Sequence, residues 1–192
     1  MRGQASALLR SLAGCVAAGV VVGLLVAGLG SRVVMRVLAL ADADARGTVT
    51  EAGNRVGEIT GGGTLALILF VGIPAGVAAG LIVFLVRRWL PSRLVWRGLA
   101  LSLALLALLA GTVIDADNID FRLLEPSGLA VALFGVLFFL AGYVLAVLAD
   151  RWAPGAPPVF YRRGVTVAGA IVLAVVVGLG LADLGREIAE IV

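Results

Sequence analysis

Histidine and lysine are absent from this 192-residue chain, and cysteine occurs once, at Cys15. Without an imidazole there is no Ser-His hydrolytic pair, no bis-histidine haem and no histidine zinc site, and one thiol cannot hold an iron–sulfur cluster or a cysteine zinc centre. Without lysine there is no Schiff base, which excludes retinal chemistry. Cys15 has no partner for an intrachain disulfide and is expected to behave as a small apolar residue. Charge is scarce too, at 14% of residues, and all 15 cations are arginine, a usage that points to a GC-rich bacterial genome.

What fills the chain is apolar sequence: 61% of residues are hydrophobic and the mean hydropathy is +1.13. A soluble core of this size cannot bury so much, so hydrocarbon must be the solvent for much of the surface. Five apolar stretches stand out, at residues 11–30, 64–86, 98–114, 128–149 and 164–182. Each approaches the ~20 residues that a helix needs to cross ~30 Å of hydrocarbon. The third is the shortest. The expected fold is an all-α integral membrane protein, residues 1–192 forming one bundle of five transmembrane helices.

Charge is sorted between the loops. One set holds Arg2, Arg10, Arg87, Arg88, Arg93, Arg97, Arg151, Arg162 and Arg163 against the single acid Asp150. The alternate set holds Arg32, Arg36, Arg46, Arg55, Arg122 and Arg186 against Asp42, Asp44, Glu51, Glu58, Asp115, Asp117, Asp120, Glu125, Asp183, Glu187 and Glu190. Basic loops face the cytoplasm, so the N-terminus is expected inside and the C-terminus outside. The excess of arginine then reports topology and attraction to anionic lipid, with no need of nucleic acid. The first stretch follows Arg2 and Arg10 as a signal peptide would, but its run is too long for a signal h-region and apolar sequence continues beyond it. It reads as a retained anchor helix.

The chain echoes itself. Leu65-Ala66-Leu67-Ile68-Leu69-Phe70, Arg88-Trp89-Leu90-Pro91 and Arg97-Gly98 parallel Leu129-Ala130-Val131-Ala132-Leu133-Phe134, Arg151-Trp152-Ala153-Pro154 and Arg163-Gly164. Segments 2+3 and 4+5 therefore read as repeated helical hairpins after the anchor, both running in the same sense across the membrane. Within the repeat, Trp89 and Trp152 suit the membrane interface, with Arg88 and Arg151 beside them to meet phosphates and a proline after each to stop the helix.

Gly72, Gly76 and Gly80 recur every four residues and make a smooth stripe down one face of the second segment; Gly19, Gly23 and Ala27 repeat that pattern in the first, making it a candidate neighbour. Small residues at such spacing let backbones approach closely, the main source of helix association in lipid. Pro74 inside the stripe should kink the helix or open a carbonyl before it.

Signals for chemistry are few. None of the five stretches carries an ionisable acid or base in its interior, which disfavours proton relays and charged-substrate paths. Gly61-Gly62-Gly63-Thr64 lacks the lysine of a phosphate loop and reads as a flexible entry to the second helix, with Thr64 as a cap. On the outer side, Asp115, Asp117, Asp120 and Glu125 are hard oxygen ligands in one short loop. Asp115-Ala116-Asp117-Asn118 is similar to the start of an EF-hand loop, but Asp120 stands where that loop wants Gly and Pro126 where it wants Glu. The readings are a solvated acidic loop or an outer ion or headgroup site; no metal site is assigned. In the outer loop, residues 31–63, Arg32 and Arg36 stand one helical turn apart among Val33, Val34, Val37, Leu38 and Leu40, so the first helix either continues past the membrane or bends along its surface, and Val49, Ala52, Val56 and Ile59 recur at a spacing that suits a short amphipathic helix.

No catalysis and no cofactor are expected. The functional reading is an accessory or scaffold subunit of a larger membrane assembly, in a bacterial plasma membrane, with lipid and other membrane subunits or further copies of itself as partners. The alternative is a small homo-oligomeric channel or carrier, its path formed by the Gly72 face or by the outer acidic cation site.

Overall fold

The computed structural model describes residues 2–41, 60–112, 127–153 and 163–191, and these form helices, two of them joined at the basic end by a short turn at residues 87–93, with no strand among the described residues. Among the described residues five helices follow in order. Helix α1 is continuous through Arg2–Val22, a π-helical Gly23–Gly30 and Ser31–Ala41; α2 runs through Gly61–Leu67, a π-helical Ile68–Gly72 and Ile73–Val86. Helix α3 is Leu94–Leu109, ending in a 3₁₀ turn at Ala110–Thr112, α4 is Ser127–Trp152 and α5 is Arg163–Ile191. Helices α1, α2, α4 and α5 are long and apolar enough to cross a membrane, which is compatible with a multi-pass membrane protein. Helix α3 is shorter, and its 16 α-helical residues span about 24 Å at 1.5 Å per residue.

The sequence-expected boundaries shift outward at most ends. Residues 31–41, expected in the outer loop, continue α1 as one helix, because Val34, Leu38 and Ala39 fall on one side and bury against Ala110, Ala130, Phe134 and Leu184. The second periodicity, Val49 to Ile59, lies outside the described residues. Helix α2 starts at Gly61, capped by Thr60 and not Thr64: the Thr60 hydroxyl accepts from the Gly63 N–H at 3.2 Å, and Thr64 Oγ1 donates back to the Thr60 carbonyl at 2.8 Å. An N-cap hydroxyl takes up one of the four amide protons that a helix start leaves without an intrahelical acceptor.

Pro74 does not simply kink α2. The turn before it widens, and the Ile73 N–H donates to the Ile68 carbonyl, five residues back. Proline has no N–H for the Phe70 carbonyl four residues behind and its ring presses on that carbonyl, so the helix relaxes by admitting one extra residue per turn. The widened stretch of α1 faces that of α2, and there the Ser31 hydroxyl donates to the Ala27 carbonyl.

Packing follows the spatial order α2, α1, α4, α3, α5: α1 lies along both α2 and α4, α4 along α3, and α5 mainly along α3. Consecutive helices α2 and α3 touch at few residues, as do α4 and α5. The contacts thus run across the two sequence-similar units more than within them. One apolar cluster, around Cys15, Ala18, Val83, Leu101, Leu105 and Leu145, joins α1 to α4; the second lies toward the C-terminal end of α1. The outward surface is apolar, with Phe70 79% exposed on α2 and Leu179 67% exposed on α5.

Candidate functional site

Backbone proximity defines the seam between α1 and α2. A Cβ built on Gly76 would lie 2.5 Å from the Gly19 carbonyl oxygen, one on Gly80 2.6 Å from the Cys15 carbonyl oxygen, and one on Gly72 2.8 Å from the Gly23 carbonyl oxygen. Real Cβ atoms do not approach oxygen so closely, so the seam exists only because these positions lack side chains. The structure therefore brings Gly72, Gly76 and Gly80 together with Gly19 and Gly23. At the next level Gly28 meets the Ile68 side chain, where a Cβ would stand 2.9 Å from Cγ1.

A second seam, between α3 and α4, was not singled out from sequence. Ser102 is 1% exposed, and its hydroxyl stands 2.9 Å from the Gly98 carbonyl oxygen on its own helix and 2.8 Å from that of Phe139 on α4. With one proton, the hydroxyl donates to one of the two at a time. Gly142 lies directly over it, since a Cβ there would come 2.5 Å from Ser102 Oγ, and Gly98 takes the ring of Tyr143. The spacing Gly98-x-x-x-Ser102 was the available signal, a small-residue pair four apart.

The arginines of one loop set gather at one end, and two of them turn inward. Arg87, just past α2, donates to the Ser11 hydroxyl on α1 at 3.0 Å and to the Ala153 carbonyl after α4 at 2.8 Å, with Cys15 Sγ 3.9 Å away. One guanidinium thus ties the ends of α2 and α4 to the side of α1, which its planar fork of donors allows. Arg97 pairs with Asp150 on α4 and donates to the carbonyls of Pro91 at 2.9 Å and Ser92 at 3.0 Å. The only acid of the basic loops is therefore engaged.

Trp89 and Trp152 sit at this same end in different surroundings. The Trp89 ring wedges against α5, where a Cβ on Gly169 would lie 2.5 Å from its Cζ2, and the Arg88 guanidinium lies over that ring at 5.5 Å from its centroid, a cation–π arrangement. Trp152 is 42% exposed and Arg151 beside it is exposed.

Asp115, Asp117, Asp120 and Glu125 lie outside the described residues. Among the described residues no three acids, cysteines or histidines gather as metal ligands would. Arg32 Nε, on α1 near the opposite end, is buried without a hydrogen-bond partner. Comparison with known proteins finds no similar chain: no family model matches, and neither does any curated protein or solved structure.

Proposed function

We propose that this chain is a non-catalytic, polytopic membrane protein that serves as an accessory or scaffold subunit of a larger membrane assembly, in a bacterial plasma membrane. All five helices cross, the N-terminus and the arginine-rich end face the cytoplasm, and the C-terminus lies outside. Segments 2+3 and 4+5 descend from one duplicated hairpin on this reading.

The observation that carries the proposal is the closure of the glycine face. A pore along α2 would need Gly72, Gly76 and Gly80 to face an aqueous path, yet the backbone of α1 stands against all three. The inward-turned cations, Arg87 and Arg97, bond to helix ends and to Asp150, in keeping with a holding role over conduction. Meanwhile α5 rides mainly on α3 and presents Ile171, Val172, Val175, Val176 and Leu179 outward, a surface for lipid or for a neighbouring subunit.

The test is the mass and composition of the protein released from its native membrane in a mild detergent. Stoichiometric company with other subunits supports the accessory role. Recovery as a closed homo-oligomer overturns it and favours the channel or carrier, for which cation flux in liposomes, before and after neutralising Asp115, Asp117 and Asp120, is the decisive assay.

A further inference from the structure

The two halves of α2 are held very differently. From Gly72 onward the helix buries Gly72, Gly76, Ala79, Gly80, Val83 and Val86, and its three glycines there meet the α1 backbone. At the other end, in Gly61–Leu67, no residue is buried. That segment opens with Gly61, Gly62 and Gly63, which have no side chain to pack, and nothing lies within 4 Å of a Cβ added at Gly61 or Gly62. Neither apolar cluster takes in an α2 residue before Ala79, and the cluster around Leu38 and Phe134 is built from α1, α3, α4 and α5 alone. Among the described residues no hydrogen bond links residues 60–72 to another helix; those of Thr60 and Thr64 stay within the helix start.

The boundary between the halves is where the backbone is irregular. The Ile73 N–H reaches the Ile68 carbonyl, five residues back, and Pro74 offers no N–H to the Phe70 carbonyl. A helix bends more readily at such a widened, proline-bearing turn than within its α-helical flanks. Across from it α1 is π-helical as well, at Gly23–Gly30, and the Ile68 side chain covers Gly28. Lipid chains are as apolar as Leu65, Ala66 and Leu67, so moving that segment off α1 exchanges one apolar contact for another at little cost. Segments with few buried contacts are those that open most easily. We propose that α2 is hinged at Ile68–Pro74: Gly61–Leu67 swings as a rigid arm while Gly76–Val86 stays locked on α1. Outward movement of the arm lifts Ile68 from Gly28 and uncovers the α1 backbone there. The hinge rests on the reading of the chain as a membrane protein, and it is independent of whether that protein is a scaffold or a channel.

The experiment measures distances between pairs of spin labels by pulsed electron resonance, on the full-length chain in a Cys15→Ala background, reconstituted into phospholipid nanodiscs. One pair, Leu65→Cys with Val136→Cys on α4, spans the hinge. The other, Leu85→Cys with Val136→Cys, does not. Leu65, Val136 and Leu85 are 57%, 61% and 64% exposed, so the labels displace little packing. The Leu65–Val136 distribution should be about twofold broader than the Leu85–Val136 distribution, or carry a second, longer distance. Equal widths would overturn the hinge. Pro74→Ala gives the Phe70 carbonyl an N–H again and should narrow the first distribution to the width of the second. A distribution as broad as before would overturn the assignment of the hinge to this turn. If Pro74→Ala does not fold, the comparison of the two pairs with Pro74 in place still decides between a hinged and a rigid α2. A chain that does not enter the bilayer would refute the membrane reading itself, and the hinge with it.

Discussion

Gly19 and Gly76 meet backbone to backbone: a Cβ on Gly76 would stand 2.5 Å from the Gly19 carbonyl oxygen, closer than any side chain allows. Replacing Gly76 with Leu must push α1 and α2 apart and open the cluster around Cys15, Ala18 and Val83. A loss of at least about 2 kcal/mol is expected, at the upper end of overpacking costs. Gly135→Ala on α4 is the contrast, because nothing lies within 4 Å of its added methyl; there the helix should gain about 0.5–1 kcal/mol from reduced backbone freedom in the unfolded chain. Denaturant unfolding in micelles, followed by circular dichroism, reads both.

Ser102 bridges α3 to α4 through a single proton offered to two carbonyls. Ser102→Ala should cost about 0.5–1 kcal/mol, the usual worth of one interhelical hydrogen bond in an apolar surrounding. Ser102→Val should cost more, because Gly142 leaves no space for a second branch. If the two variants unfold alike, the hydroxyl and not the close approach dominates this seam.

Arg87 stands at the basic end of the apolar cluster around Cys15, its guanidinium 3.9 Å from Sγ. Arg87→Met removes the bonds to Ser11 and Ala153 and should destabilise the chain by about 1–3 kcal/mol, as is usual when a buried acceptor loses a charged donor. Cys15 is fully buried in the intact chain, so its modification by a small maleimide should be slow and should speed up in the variant. Unchanged labelling would show that Arg87 does not close that end.

The Arg97–Asp150 pair is only partly shielded, with side-chain exposures of 22% and 41%. A double-mutant cycle with Arg97→Gln and Asp150→Asn should give a coupling of about 0.2–1 kcal/mol, as for other exposed ion pairs. That coupling should shrink as salt rises toward 1 M. A value that ignores salt would point to the Pro91 and Ser92 carbonyls as the true partners of Arg97.

Orientation is open to a labelling test. In a Cys15→Ala background, Gly62→Cys places a thiol at the open start of α2, where nothing lies within 4 Å of an added Cβ, and Ser92→Cys places one in the arginine-rich turn. With the basic end inside, a membrane-impermeant maleimide should label the first in intact cells and the second only after lysis. The reverse pattern would invert the topology.

The glycine stripe was legible because it is local: Gly72, Gly76 and Gly80 fall on one helix face by period alone, and a face without side chains has one main use in an apolar solvent. The Ser102–Gly142 seam was much less so, since a lone serine on α3 gains meaning only when a gap on α4 is set against it. The repeat shows the same limit. Positions 64 residues beyond the stripe are Val136, Leu140 and Val144, so the sequence similarity between the two hairpins does not extend to this contact, and α4 finds its neighbours by other means.

Helix number, approximate length and the sorting of charge between ends came from the sequence alone, because each depends on solvent preference and on a helical period that the chain carries residue by residue. Only the tertiary structure decided that α1 stands between α2 and α4, that α2 and α3, like α4 and α5, touch little while α1–α2 and α3–α4 pack closely, and that Arg87 and Arg97 turn inward while Arg93 stays exposed. Those outcomes depend on which faces and which helix ends coincide in space. In an apolar solvent close backbone fit chooses among many equally apolar faces, and that fit is a property of pairs that no single segment contains.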